Sequence, residues 1–432
     1  MNLWQKDYTV ISEQVQKFTV GRDREFDLVL AKYDVQGSLA HVTMLERVGL
    51  LPHDEFILIK QELEKIQEDI EKGAFSLLDT VEDIHSQIEQ MLTERLGDAG
   101  KKIHSGRSRN DQVAVDVKLY LRAEILEVRD AALSLFHLLL ELSDLHKDKL
   151  LPGYTHLQLA MPSSFGLWFG AYAESLVDDM SMLVTAYKMA DKNPLGSGAG
   201  YGSSFPLDRA LTTQLLNFGD LHYNSVYAQM SRGKTERFAA MAFSTVAATL
   251  SRLSMDVCLY MNQNFGFISF PDSLTTGSSI MPHKKNPDVF ELIRGKCNRI
   301  QSTPNELTLL INNLPSGYHR DMQLTKEILF PAIEDLKSCL QMAGLMLNSI
   351  LVKDGILNDE RYKYLFTVEK VNALVNNGIP FRDAYRQVAN EVENGTFIYS
   401  GDLHHTHEGS IGNLCNEDIK KMMKEIIKGF QK

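Results

Sequence analysis

Cysteine is scarce and scattered: Cys258, Cys297, Cys339 and Cys415 form no C-x-x-C pair in 432 residues. That argues against a disulfide framework or a cysteine-built zinc site, and fits reduced thiols in a cytoplasm. Positive charge is short as well. A net charge of −11 argues against general binding to nucleic acid or anionic membranes, although local lysines can still receive an anionic substrate. Long apolar runs are missing. The opening MNLWQKDYTVISEQVQK has no signal-peptide core, and the most apolar stretch, 131–142, is interrupted by His137 and Glu141. It is too short to span a bilayer. No G-x-G-x-x-G follows a strand, so no nucleotide cofactor is expected. Internal repeats, low-complexity segments and convincing strand-like alternation are also lacking.

Proline and glycine are absent from 110 to 150, where apolar residues recur throughout. At about 1.5 Å per residue this predicts a helical rod of roughly 60 Å. Further long helices are expected over 162–191, with Pro162 as a first-turn residue, and over 234–262, 288–312 and 325–351. Phe56, Ile59, Leu63, Ile66 and Ile70 alternate steps of three and four, as in an amphipathic helix, and Val81, Ile84, Ile88 and Met91 continue the theme. The fold class is therefore all-α, a central bundle of long helices flanked by two smaller helical domains. The expected divisions are 1–105, 106–358 and 359–432, with Pro380 opening a C-terminal helix. The 234–262 helix is apolar on more than one face, which predicts association of subunits through the bundle.

The most informative segment is 275–287, TTGSSIMPHKKNP. Gly277 turns freely, while Pro282 and Pro287 forbid a continuous helix. A helical pattern follows Pro287. A loop carrying Ser278, Ser279, Lys284 and Asn286 thus feeds a helix N-terminus, where backbone N–H groups favour an anion. The chemistry is that of a carboxylate site with a candidate base on a lid. Residues 103–112, IHSGRSRNDQ, set Arg107, Arg109 and Asn110 at the mouth of the long rod, and arginine's planar fork suits carboxylates. Asn110 or Asp111 can also serve as a helix cap. Residues 151–162, LPGYTHLQLAMP, place Thr155 and His156 between two long helices. Residues 317–327, GYHRDMQLTKE, form a polar helix start. His404, His405 and His407 cluster without an acidic or cysteine partner at metal-ligand spacing, so a solvated loop is expected and no metal.

The 275–287 signature resembles that of the fumarase/aspartase superfamily. IHSGRSRNDQ, PGYTHLQ, YHRDMQLTKE and the segments VEDIH (81–85) and DVQGS (34–38) resemble the argininosuccinate lyase family within it, over about residues 20–360. The resemblance implies cleavage of argininosuccinate to arginine and fumarate without a cofactor, in a cytoplasmic homotetramer whose active sites are shared between chains. It implies Ser278 as base, Lys284 and Asn286 on the carboxylate, and His156 paired with Glu291 as acid or relay. Arg109, Asn110, Thr155, Tyr318, Gln323 and Lys326 are then substrate contacts. Alternatives are a sister lyase such as adenylosuccinate lyase, which 107–112 argues against, or a non-catalytic protein like delta crystallin. Departures include Leu3–Trp4–Gln5–Lys6 at the start, His283 and His319. Around 20–24, VGRDR stands where many members carry a substrate-binding serine, and Asp23 is the candidate substitute.

Overall fold

The computed structural model describes residues 12–78, 81–403 and 405–431. The divergent Leu3–Trp4–Gln5–Lys6 and His404 lie outside them. The first helices are α1 (Glu13–Val20), α2 (Asp23–Arg47), α3 (His53–Glu71), α4 (Ile84–Leu96) and the single turn α5 (Asp98–Lys101). The stripe predicted for α3 is buried as read: Ile59, Leu63 and Ile66 meet Met44, Leu45 and Leu92 in a small core of their own. α2 also turns Leu30 and Tyr33 toward the main core, so it joins the two.

The centre holds α6 (Arg109–Leu145), α7 (Phe165–Ala190), α8 (Arg209–Leu215), α9 (Ser225–Met230), α10 (Lys234–Met261), α11 (Asp288–Ile300), α12 (Thr303–Leu310) and α13 (Thr325–Leu347). α6 has 37 residues, about 55 Å at the standard rise. It lies against α2, α7 and α13, while α10 packs on α7, α11, α12 and α13. The apolar faces meet in one long core, with Phe136, Phe169, Phe243 and Ile333 at 0–1% exposure. Beyond it, α14 (Thr367–Asn376) and α15 (Phe381–Glu393) enclose a third small core with Phe397, and Pro380 caps α15 as predicted. The last helix, α16 (Asn416–Ile427), returns to pack on α7.

The structure departs from the sequence reading in three places. Pro162 does not open α7. It sits in β2 (Gln158–Ser164), paired antiparallel with β1 (Leu150–Thr155), and α7 starts after Ser164, whose side chain accepts the Leu167 N–H at 3.1 Å. A proline at the last turn before a helix and one in a hairpin strand read alike in sequence. The expected 288–312 rod is two helices, because Pro304 falls in the first turn of a new helix, α12. α13 stops at Leu347, and Leu351–Val352 pairs with Ile268–Ser269 instead. Val246, Ala247 and Leu250 of α10 are fully buried within their own chain. Phe238 and Met241 of the same helix are only partly buried. Among the described helices, α10 is also the one long and apolar enough to cross a membrane, with 56% of its most apolar window buried.

Candidate active site

The mouth of α6 shows why 103–112 is so polar. Ser108 is the cap: its Oγ accepts the Asn110 N–H at 3.3 Å, and Asp111 Oδ1 accepts the Ser108 N–H at 2.7 Å, closing a capping box. Asp111 Oδ2 also accepts the N–H groups of Gly196 and Gly198, both at 2.9 Å, which fastens the glycine-rich loop to the rod. Burial pushes the Asp111 carboxyl up to about 6. Arg107 is buried and donates to Ser38 Oγ at 2.9 Å; Gln112 donates to Asp34 at 2.6 Å. These residues serve the fold. Arg109 and Asn110 instead line a cavity of about 490 Å³.

The cavity lies where α2, α4, the mouth of α6 and the segment before α13 converge. Tyr318, Gln323 and Lys326 share its wall with Arg109 and Asn110, so five predicted substrate contacts meet in one place. Arg109 Nη1 pairs with Asp83 at 2.5 Å. Gln323 Nε2 donates to the Thr19 and Val20 carbonyls, both at 3.1 Å. Lys326 is almost fully buried between Asp23 at 2.6 Å and Asp27 at 2.9 Å. Asp27 also accepts the Ile84 N–H at 2.9 Å. Burial opposes its charge, but Lys326 and the His85 ring outweigh that and hold it at about 2. For Asp23 burial wins over Lys326, and its carboxyl rises to about 6.

Behind the wall, Asp34, His85 and Asp116 place ligand-type atoms within 4.8 Å of one another. The His85 Nδ1 lies 2.9 Å from Asp34 and 3.5 Å from Asp116. Such a set has metal-binding geometry. Yet burial would raise the Asp34 carboxyl, and the His85 ring, with Arg107 and the Gln112 amide behind it, holds it below its usual range. Burial and the Asp34 charge push Asp116 well up. The donor set fits an internal charge network better than a resident cation.

The other predicted residues are not on the cavity wall. Thr155 and His156 are exposed at the tip of the β1–β2 hairpin, whose two-residue turn puts His156 at φ 54° and Leu157 at φ 58°. Non-glycine residues in that region carry strain, which concentrates at functional sites. Leu157, Leu159 and Met161 are exposed beside them, at 77%, 41% and 37%. The 275–287 loop is an irregular arch, as predicted, closed at its base by Asn286 N–H on the Thr276 carbonyl at 2.8 Å. Ser278 Oγ accepts two backbone N–H bonds, from Ile280 at 3.3 Å and Met281 at 3.1 Å. Lys284 is exposed, and Glu291 follows in the first turn of α11. Among the described residues no bond joins His156 to Glu291 within the chain. At the other end, His405 pairs with Glu369 at 3.1 Å and His407 with its neighbour's carbonyl.

Several cavity residues escaped sequence reasoning: Asp27, Glu82, Glu89, Arg232 and Arg320. Glu82 lay inside a quoted motif but no role attached to it, and Arg232 had no signal beyond the neighbouring Gly233. The long-rod bundle thus carries an arginine-bearing cavity at one rod mouth, with a serine arch and a histidine hairpin outside it. Residues 12–302 match the lyase family model. An argininosuccinate lyase from Phocaeicola vulgatus is 58% identical over 428 residues, covering 99% of this chain and 96% of the relative. In fold, an EDDS lyase crystallised with formate superposes with a TM-score of 0.74 at 21% identity, covering 98% of this chain and 91% of the other. A class II fumarase from Schistosoma mansoni gives 0.73 at 16% identity, covering 96% and 94%. The chain belongs to the argininosuccinate lyase family and is an enzyme of the lyase class.

Proposed function

We propose that the enzyme cleaves argininosuccinate to L-arginine and fumarate, the closing step of arginine biosynthesis, and that its chemistry is carried by the 275–287 loop. The observation behind this reading is the pair of backbone N–H bonds on Ser278 Oγ. Donors aimed at a hydroxyl oxygen favour its ionised form, which an ordinary serine does not reach near neutrality. Ser278 then removes the proton from the carbon beside a succinyl carboxylate. The carbanion that results has aci-carboxylate character and doubled negative charge. Lys284 and Asn286 stabilise that charge, and the C–N bond to the guanidino nitrogen breaks. His156, paired with a Glu291 brought up by another subunit, returns a proton as acid or relay. Arg109, Asn110, Thr155, Tyr318, Gln323 and Lys326 hold the substrate.

The cavity, the hairpin tip and the loop are separate parts of one chain. We therefore assign the working form as a homotetramer, with sites shared among three subunits, in the cytoplasm. The exposed apolar hairpin supports this: an unpaired Leu157 beside a catalytic histidine suits insertion against another subunit. The proposed divisions are 1–105, 106–358 and 359–432. The test is complementation. Inactive His156→Ala and Ser278→Ala subunits, dissociated and reassembled together, should regain partial activity in a fumarate absorbance assay. Mixed tetramers as dead as their parents would place both residues of a site on one chain.

A further inference from the structure

Two segments singled out in the sequence, DVQGS (34–38) and VEDIH (81–85), supply no residue to the proposed chemistry. They meet behind the cavity wall. Asp34 of α2, His85 of α4 and Asp116 of α6 are buried, at 0–2% exposure. Asp34 Oδ1 is well served: the His85 Nδ1 lies 2.9 Å away, and the Gln112 amide donates to it at 2.6 Å. Asp116 is not. Neither of its oxygens, nor Asp34 Oδ2, has a hydrogen-bond partner among the described residues. An ionised Asp34 can only accept, so the Nδ1 proton is committed to it, and Asp116 Oδ2 stays 3.5 Å from that nitrogen.

Two buried carboxylates side by side, with donors for only one of them, cannot both stay charged. The groups that face Asp116 come from three helices. Asp27 and Asp34 on α2 oppose a charge there, with His85 on α4 turned to Asp34; Arg107 and Arg109 at the mouth of α6 favour the charge but do not outweigh burial. Gly37 tightens the site. A Cβ there would stand 3.2 Å from Val115 Cγ1 and 3.5 Å from Asp116 Oδ1, so the α2 backbone lies close against the carboxyl. A cation would relieve the repulsion, but Asp34 Oδ1 and His85 Nδ1 already face each other as acceptor and donor. A proton relieves it with no further ligand. Asp34 and Asp116 each bring an oxygen within 4.8 Å of the other.

We propose that Asp116 is carried as the neutral acid, that its proton is shared with the free oxygen of Asp34, and that this proton holds the His85 ring on the cavity wall. Asp34 keeps the one negative charge of the pair. It then receives His85, Gln112 and Asp116 together, which fixes a single tautomer of the histidine. Asp116 is a positioning residue: it acts through Asp34 and His85, and the assignment does not depend on which substrate is cleaved. Sequence gave no hint of it, because an aspartate inside a helical rod reads as a solvated face.

The test reads the proton directly. The assembled enzyme is prepared with isotope-labelled aspartate, and its infrared spectrum is recorded at about pH 8, above the ordinary carboxyl range. Asp23 and Asp111, both raised to about 6, are ionised there too. A protonated aspartyl C=O band should persist in wild type and be lost in Asp116→Asn. A wild type without any such band overturns the proposal with no variant needed. The variants then locate the proton. Asn offers an N–H where the acid offers an O–H, so Asp116→Asn should keep kcat/KM for fumarate release within about threefold, whereas Asp116→Ala should lose about 10-fold or more. Asp34→Asn should lose on the order of 10- to 100-fold, because it takes an ionised acceptor from its donors. Failure of the argininosuccinate reading would leave the infrared result untouched. A tolerated Asp34→Asn beside a crippled Asp116→Asn would put the proton on Asp34 and overturn the assignment. So would a stoichiometric divalent cation in the purified enzyme that Asp116→Asn no longer holds.

Discussion

The cavity at the mouth of α6 and the arch over 275–287 make opposite use of charge. In the cavity Arg109 is paired with Asp83, Arg320 with Glu82 and Lys326 with Asp23 and Asp27, all of the same chain, and Lys326 is almost fully buried. On the arch, Lys284 is exposed, and Ser278 is addressed only by its own backbone. One region is organised before anything binds. The other leaves Lys284, the proposed charge-stabilising group, in the open. On the proposed reading, recognition and reaction are separated along the sequence and within the subunit, and each can be damaged alone.

The sharpest break is Ser278→Ala. It should cut turnover on the order of 10²–10⁴-fold while substrate still binds in the intact cavity. Near-normal turnover would remove Ser278 from its role. Next is Lys284→Met, expected to lose about 2–4 kcal/mol of transition-state stabilisation. The contrast with the cavity lies in how the loss appears: kcat should fall more than KM rises, whereas a cavity variant should show the reverse. A tenfold or smaller loss in kcat/KM would pass the charge to another group.

The third prediction concerns stability and belongs to the cavity alone. Asp23 has a native carboxyl near 6 against 3.8 as its ordinary value, chiefly through burial. The native state therefore holds this proton more tightly than the unfolded chain. Asp23 costs nothing below pH 4, costs progressively more as pH rises, and its full cost is reached above about 6. Asp23→Asn removes that dependence. The stability difference between variant and wild type should shift toward the variant by up to about 3 kcal/mol from pH 4 to pH 7, read from urea midpoints. A constant difference across that range would mean that Lys326 keeps Asp23 ionised throughout.

These two regions also differ in how far the sequence disclosed them. The arch was legible because its chemistry is contiguous: glycine, serines, prolines and lysine lie within thirteen residues. The rod of α6 was legible for the same local reason, a run without helix breakers. The cavity was half visible. Arg109, Asn110, Tyr318, Gln323 and Lys326 stand in recognisable segments. Asp27 and Arg232 reach the same wall from α2 and from the entry to α10, and only tertiary packing brings them there. Pro162 was misread, and Pro304 passed over, for a different reason. Proline's constraint on φ suits a strand and a first helical turn equally, so the residue marks a boundary without saying which side is helical.

The hairpin between α6 and α7 imposes a rule on how this chain can vary. Its turn is two residues long, its second strand runs directly into α7, and a short turn joins α6 to its first. Side chains along a strand alternate faces, so inserting or deleting one residue in either arm would swing His156 to the opposite side and shift the pairing beyond it. The serine arch has no such strand register, since its base is one isolated backbone bridge between Thr276 and Asn286 with the Asn286 side chain and a Lys285–Asp272 ion pair beside it. Length changes should therefore be lethal to catalysis in the hairpin arms even where the subunit still folds, whereas sequence drift by substitution can proceed on either side of the tip.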